Sequence, residues 1–169
     1  MVAAERISSA AMLRLVATLI AACCLAACSS GGTPTFALTA ASVDATYRCP
    51  GGANNAPYEM HATIAARNGT SKVVTIRSVS ALMTLASIHG SWLERVGDQY
   101  DAGSVSFSPA TVASASSATL KITIPSACTS GKYAGGSSSS AHYEVTMHVE
   151  TSAGAFSIKA GNKHEILAA

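Results

Sequence analysis

The sequence predicts an all-β domain, and three observations support that prediction. Apolar and polar residues alternate strictly over residues 143–150, which is the period of a strand with one buried face. Similar runs occupy residues 58–64 and 120–124, and clusters of Gly, Asn, Ser and Pro separate the runs. Short strands divided by such turns are typical of two sheets packed face to face. We therefore expect an antiparallel β-sandwich over residues 36–169.

Residues 1–27 have a different character and are predicted to be a signal peptide. Arg6 and Arg14 precede an uncharged apolar run over residues 15–27. That run is shorter than the roughly 20 apolar residues that a membrane-spanning helix requires. Met12 is an alternative start site, because it leaves a short basic segment before the same apolar run.

The end of the run, Leu25-Ala26-Ala27-Cys28, resembles the processing site of bacterial lipoprotein precursors. The resemblance implies that Cys28 is acylated and becomes the first residue of the mature chain. Residues 28–35 would then form a flexible tether to the extracytoplasmic side of a membrane. In a Gram-negative cell, Ser29 in place of aspartate favours the outer membrane. Cleavage before Cys23, or an ordinary signal peptide without a lipid, are the alternatives.

The strands of the sandwich are expected at intervals separated by turns. Asn68-Gly69-Thr70, interpreted as a turn rather than a glycosylation site, and Ser152-Ala153-Gly154 supply two of those turns, and residues 135–140 are expected to be a flexible tip. This pattern resembles an immunoglobulin-like sandwich. The expected strands are 36–47 with a bulge near 40–42, 58–67, 73–86, 102–108, 117–125 ended by Pro125, 143–151 and 155–160.

Residues 91–97 are predicted to form a short helical turn between two of these strands. Ser91 and Glu94 have the spacing of a capping box, and Gly97 can end the turn. This interpretation places Trp92 at one edge of the core, where its large ring fills space. An exposed Trp92 that serves as a platform for a ligand is the alternative.

Cys49 and Cys128 are the two cysteines that remain in the predicted domain. An even number in an oxidising compartment predicts one disulfide. Four predicted strands separate the two residues, so both should lie at the same pole of the sandwich. The pair differs from that of antibody domains, because neither cysteine lies inside an alternating strand. Two free thiols, as metal ligands or as a catalytic nucleophile, are the alternative.

Two dipeptides suggest a copper or zinc site at first sight. Met60-His61 and Met147-His148 each combine a soft sulfur ligand with an imidazole. Adjacent residues of a strand point to opposite faces, so neither pair can converge on one ion. We expect both methionines to lie in the core and both histidines to face solvent.

Catalytic and calcium-binding patterns are equally weak. His164-Glu165 lacks the second histidine of a zinc protease, and residues 137–140 are low-complexity serines typical of a linker. Glu94, Asp98 and Asp101 offer three carboxylates, whereas Ca²⁺ takes about six to eight oxygen ligands. The sequence therefore predicts no catalytic, cofactor-binding or metal-binding residue and no enzyme.

The charge balance excludes one further class of function. The chain carries 11 lysines and arginines against 9 aspartates and glutamates, without a basic run, so nothing indicates a nucleic-acid partner. We expect a non-catalytic interaction module, held on a membrane by its lipid, that docks to an envelope protein or a surface polymer. A small-ligand or metal carrier, with its site at the pole opposite the disulfide, is the alternative.

Overall fold

The computed structural model describes residues 35–53, 55–128 and 139–168, and these residues form strands and no helix. The predicted signal peptide and Cys28 lie outside the described residues. None of the described residues belongs to a helix that could span a bilayer. The strands are β1 (Phe36–Val43), β2 (Thr46–Arg48), β3 (Pro57–Asn68), β4 (Val74–His89), β5 (Gln99–Ser104), β6 (Ser106–Ser108), β7 (Thr111–Val112), β8 (Ser116–Ala127), β9 (Ser140–Thr151), β10 (Gly154–Lys159) and β11 (His164–Leu167).

The strands form two sheets that enclose one hydrophobic core. The first sheet has the order β1–β3–β8–β6. The second has the order β2–β11–β9–β4–β5, with β10 added beside β9 and β7 beside β4. The pairs are antiparallel except for β2 with β11, which run parallel. The predicted all-β sandwich is therefore confirmed.

The alternating sequence pattern places the core as predicted. In β9 every second side chain from Tyr143 to Val149 is buried, because successive residues of a strand point to opposite faces. β3 shows the same alternation from Tyr58 to Ala66. The two methionines of these strands, Met60 and Met147, are completely buried, as expected.

Two predicted strands are each divided between the sheets. The segment 36–47 forms β1 in the first sheet and β2 in the second, with the bulge between Leu38 and Ala40. The segment 102–108 likewise forms the end of β5 and all of β6. Val105 makes this second crossing, and its N–H donates to the Val79 carbonyl at 2.9 Å. The prediction of one continuous strand was wrong for both segments. Apolar and polar residues keep alternating along the sequence where the chain passes from one sheet to the other, so the pattern does not mark the change.

Pro125 does not end its strand, in contrast to the prediction. β8 continues to Ala127, and Pro125 pairs with Glu59 of β3. The neighbour on the other side, β6, pairs only as far as Thr123. Pro125 therefore lies at an open edge, where a residue without an N–H group is tolerated.

The turn after β3 is organised by a buried side chain. Asn68 is completely buried, and its Nδ2 donates to the carbonyls of Lys72, Val112 and Ala113 at 2.8–3.1 Å. Its Oδ1 accepts from both the N–H and the hydroxyl of Thr70. The predicted turn is present, and Asn68 connects it to the strand β7.

The C-terminal strand β11 was not predicted. It is short, and His164 occupies an inward position where the pattern would require an apolar residue. The serine run also departs from the prediction at its end. Ser139 and Ser140 are buried, Ser140 begins β9, and the other residues of the expected tip lie outside the described residues.

Candidate functional site

The sandwich has two sides at which its sheets approach each other, and on one of them hydrogen bonds close the gap. On this closed side, defined by β1, β10 and residues 160–164, the Gly161 N–H donates to the Ala41 carbonyl at 2.8 Å. The Asn162 side chain accepts from the Val43 N–H at 3.0 Å and donates to the Val43 carbonyl at 2.8 Å. Phe36 and Phe156 meet edge to face, with ring centroids 5.1 Å apart.

Behind the closed side lies a buried polar group that the sequence did not reveal. His164 is completely buried, and its Nδ1 lies 2.7 Å from the Asp44 carbonyl oxygen. A carbonyl only accepts, so Nδ1 carries the proton and Nε2 accepts from the Tyr58 hydroxyl at 2.8 Å. Tyr58 in turn stacks on Tyr47, with centroids 3.9 Å apart.

Burial determines the charge state of this group. It lowers the pKa of His164, and the Asp44 contacts oppose that shift only in part. Burial also raises the pKa of Tyr58 to about 12. Both side chains are therefore neutral at pH 7, and their hydrogen bonds are made within the chain.

The opposite side, formed by β5, β6 and the end of β8, is open. Because β6 pairs with only three residues of β8, Ile124–Ala127 have a strand neighbour on one side only. The Tyr100 hydroxyl of β5 donates across this gap to the Pro125 carbonyl at 3.4 Å. Between β5 and the end of β8 lies a cleft of about 360 Å³.

The cleft has an apolar floor and an acidic rim. Met83, Leu85 and Ile166 are buried side chains of the floor. Glu94 and Asp98 line the rim, and among the described lining residues they are the charged ones. The remaining lining residues are Asn55, Leu93, Gln99, Tyr100, Ser126, Ala127, Cys128 and Tyr143.

Tyr143 connects the cleft to the single tryptophan of the chain. Its hydroxyl accepts from Trp92 Nε1 at 3.2 Å. Burial raises the pKa of Tyr143 to about 12, and the negative charges of Glu94 and Asp98 add to that rise. Tyr143 is therefore protonated at pH 7, and its hydroxyl oxygen serves as the acceptor for the Trp92 N–H.

The segment that borders the cleft is a loop, so the predicted helix over residues 91–97 was wrong. A single turn has a high nucleation cost, and here the backbone finds other partners. The Asp98 carboxylate accepts from the Arg95 N–H at 2.8 Å, and the Gly97 N–H donates to the Leu85 carbonyl of β4 at 2.8 Å. Gly97 has a φ of 99°, which favours glycine.

This loop leaves large apolar side chains in solvent. Leu93 is 56% exposed, Val96 60% and Tyr100 45%, and we call these three residues the apolar margin. Among the described residues, Val73 at 57% is the other large hydrophobic side chain with comparable exposure. Exposed apolar side chains that are grouped beside a cleft indicate a binding surface.

Trp92 takes the position predicted for it. Its ring is half buried and packs against the core beside this loop. The alternative of an exposed platform is not supported, because the ring is partly covered and its N–H is engaged with Tyr143.

The structure contains the expected disulfide between Cys49 and Cys128, with Cα atoms 5.8 Å apart. Because Cys128 lines the cleft, the cleft lies at the disulfide pole. The carrier hypothesis expected a site at the opposite pole, whereas this cleft lies at the pole of the disulfide. The cysteines lie together because the neighbouring strands β3 and β8 respectively begin and end at this pole, where Pro57 pairs with Ala127.

The dipeptides considered as metal sites are separated across their strands. His61 lies on an outer face and contacts the Asp44 carboxylate at 3.1 Å, and His148 contacts the Ser157 hydroxyl at 2.7 Å. Asp101 accepts from the Gly103 N–H and does not line the cleft, unlike Glu94 and Asp98. Within the described part of the chain, no three His, Cys, Asp or Glu side chains gather as a metal site.

No protein-family model matches the sequence, and no curated protein matches it. Among solved structures, the chain is similar to a PapD-like (ASH) domain of human CEP192, at 10% identity and a TM-score of 0.30, over 84% of this chain and 92% of that one. It is also similar to the CooA pilin subunit of enterotoxigenic Escherichia coli, at 10% identity and a TM-score of 0.27, over 78% and 98% of the two chains. Likeness at this level carries no functional inference.

Proposed function

We propose that this protein is a non-catalytic interaction module of the cell envelope that docks a partner at its cleft and apolar margin. The observation that carries the proposal is the grouping of Leu93, Val96 and Tyr100 beside a cleft with an apolar floor. Burial of such side chains against a partner is favourable by about 25 cal/mol per Å² of apolar surface. The proposed partner is an envelope protein or a surface polymer.

Two features support an extracytoplasmic location. Disulfides form and persist in oxidising compartments, and the Cys49–Cys128 bond joins the segment before β3 to the end of β8. The lipoprotein-like N-terminus supports a lipid anchor on Cys28, and the outer membrane is favoured in a Gram-negative cell. Acyl mass on the mature full-length protein, lost in Cys28→Ser, tests the anchor.

The small-ligand carrier remains the second candidate because the cleft could hold a small molecule. Its volume lies near the lower end of the roughly 300–1,000 Å³ typical of ligand sites. A ligand inside the cleft would leave Val96 in solvent, whereas a macromolecular partner could cover it. We therefore favour docking.

Site-specific photo-crosslinking in cells that produce the full-length precursor tests the proposal. A photoreactive phenylalanine at Val96 should give one defined crosslinked product. The matched control is the same group at Val73, which has a similar exposed fraction and lies immediately before β4, away from the cleft-bordering loop. Equal products at both positions, or none at Val96, would contradict docking at the cleft. A stoichiometric small adduct in native mass spectrometry would favour the carrier.

A further inference from the structure

The chain enters the sandwich at the pole opposite the disulfide. The Gly69 N–H donates to the Thr35 carbonyl at 2.9 Å, and Phe36, the first residue of β1, pairs with Asn68, the last residue of β3. Asn68 also pairs with Ser116, where β8 begins. The chain that precedes Thr35 therefore joins the domain at this end, which we call the entry pole.

The cleft and the apolar margin lie toward the other end of the strands. β4 begins at the entry pole, and the loop that carries Leu93 and Val96 follows its far end. Cys128, at the disulfide pole, lines the cleft. β1 also lies at one edge of the first sheet, whereas β6, on the open side, lies at the other edge. The entry point and the margin are therefore separated both along the strands and across the sheets.

The proposed tether is shorter than the domain. The 12 residues of β3 extend from pole to pole, and 11 steps of about 3.3 Å between them give roughly 36 Å. From Cys28 to Thr35 the chain makes seven such steps, which reach about 25 Å when fully extended. An inverted domain, with its disulfide pole on the bilayer, would hold Thr35 beyond the reach of an acylated Cys28.

The loops of the entry pole are small and carry little charge. They comprise residues 69–73, 113–115 and 152–153, and Lys72 is the one charged residue in these ranges. Its positive charge is attracted to anionic lipid headgroups. Val73 in the first of these loops is 57% exposed. The entry pole can therefore approach a bilayer surface without repulsion between like charges.

We infer that the entry pole faces the membrane that carries the anchor, and that the cleft and apolar margin face away from it, toward a protein partner outside that bilayer. Exposed apolar side chains of an anchored protein can be covered by the bilayer or by another protein. The position of the margin, diagonally opposite the tether, favours a protein. The side chains of Leu93 and Val96 also offer a sugar polymer no hydrogen-bonding group. The inference rests on the lipid anchor and the docking function proposed above.

Short-range fluorescence quenching on vesicles tests this orientation. In the mature acylated protein, the lipid blocks Cys28 and the disulfide blocks Cys49 and Cys128. Val73→Cys or Val96→Cys then supplies the one reactive thiol for a fluorescent dye. The labelled protein is reconstituted in vesicles of phosphatidylethanolamine and phosphatidylglycerol, with or without a lipid that carries a nitroxide quencher on its headgroup.

We expect the nitroxide to quench the dye at Val73 several-fold more strongly than the dye at Val96. Quenching at Val96 that equals or exceeds quenching at Val73 would overturn the orientation, as a domain lying on its open side would produce. The matched control lengthens the tether with Gly-Ser repeats after Ser30. It should weaken quenching at Val73 and leave Val96 unquenched, whereas new quenching at Val96 would show that the margin binds lipid and would overturn the protein partner.

Other outcomes separate the inference from the proposals on which it rests. A protein without acyl mass that fails to float with the vesicles would overturn the anchor and the orientation together, and a crosslink at Val96 would then still support docking. An unquenched Val96 that gives no crosslink in cells would overturn docking and leave the orientation intact. The crosslinked product at Val96 should contain a second polypeptide. A polymer in its place would overturn the protein partner alone, and a lipid would overturn the orientation as well.

Discussion

The gap between the two sheets is closed on one side of the sandwich and is open as a cleft on the other. On the closed side, Asn162 and Gly161 hydrogen-bond to β1, and Phe36 is buried against Phe156. On the open side, the chain crosses between the sheets at Val105, but beside the end of β8 the Tyr100 hydroxyl spans the gap to the Pro125 carbonyl, and Leu93 and Val96 stay in solvent.

This difference separates stability from binding. Side chains of the closed side contact other residues of the same chain, so replacing them should lower the free energy of unfolding. The apolar side chains of the margin contribute little to the free energy of unfolding, because they are already exposed in the folded protein. Their contribution should appear only when a partner covers them.

Loss of the disulfide should have the largest effect, because the bond holds chain segments together at the pole where the cleft lies. In the chain-entropy model, a crosslink across a sequence separation of 79 stabilises by up to about 4.5 kcal/mol. We expect Cys49→Ser with Cys128→Ser to lower the urea midpoint strongly. Reductant should lower the midpoint of the wild type and leave that of the variant unchanged; coincident midpoints would contradict the prediction.

Replacement of His164 by alanine should cost about 3 kcal/mol, because it leaves a cavity and two buried groups without partners. Those groups are the Tyr58 hydroxyl and the Asp44 carbonyl. The comparison on the open side is Tyr143→Phe, which removes one hydrogen bond and should cost only about 1 kcal/mol. Urea unfolding measures the free energy of unfolding of both variants. Equal losses of free energy would contradict the expected difference between the closed and the open side.

The same histidine should make stability depend on pH. Its pKa is lowered in the folded state, so below pH 6.5 the unfolded chain binds more protons than the folded one. The contribution of neutral His164 to the free energy of unfolding is thus fully present above pH 6.5 and is lost as the pH falls below that value. We expect the unfolding free energy to fall between pH 7 and pH 5, and less so in His164→Ala. Parallel pH profiles for the two proteins would assign the slope to other groups.

Polar substitution of the margin should have the smallest effect on folding. Leu93→Ser with Val96→Ser should change the unfolding free energy by less than about 0.5 kcal/mol and remove docking. Phe36→Ser, a change of the same kind on the closed side, should cost about 3 kcal/mol because Phe36 is buried. A large loss from the margin variant would mean that these side chains support the fold rather than a partner.

The features of this fold that were predicted correctly are those whose signal lies in neighbouring residues of the sequence. Alternation in β3 and β9 fixes which face is buried, and turn residues fix where those strands end. The sheet changes at residues 44–45 and at Val105 leave alternation intact, so they could not be recognised. The capping-box spacing at Ser91 was misleading because partners distant in sequence, such as Leu85, decide the shape of that loop.

The candidate site was harder to predict than the fold. Its residues come from β4, β5, β8, β9, β11 and the intervening loops, so no motif contains them. Glu94 and Asp98 were noticed, but as possible calcium ligands, because sequence spacing does not show the apolar floor beneath them. His164 was missed as a core residue, since a buried histidine is recognisable only by the groups it meets.

The burial of Asn68 has a practical consequence for producing this protein. Asn68-Gly69-Thr70 is an acceptor sequence for N-linked glycosylation in secreting eukaryotic cells. A sugar on Nδ2 would displace donors that bind three carbonyls and would have to fit where no solvent reaches. A chain modified before it folds could not adopt this structure, so a bacterial host that exports the protein is the suitable choice for recombinant expression.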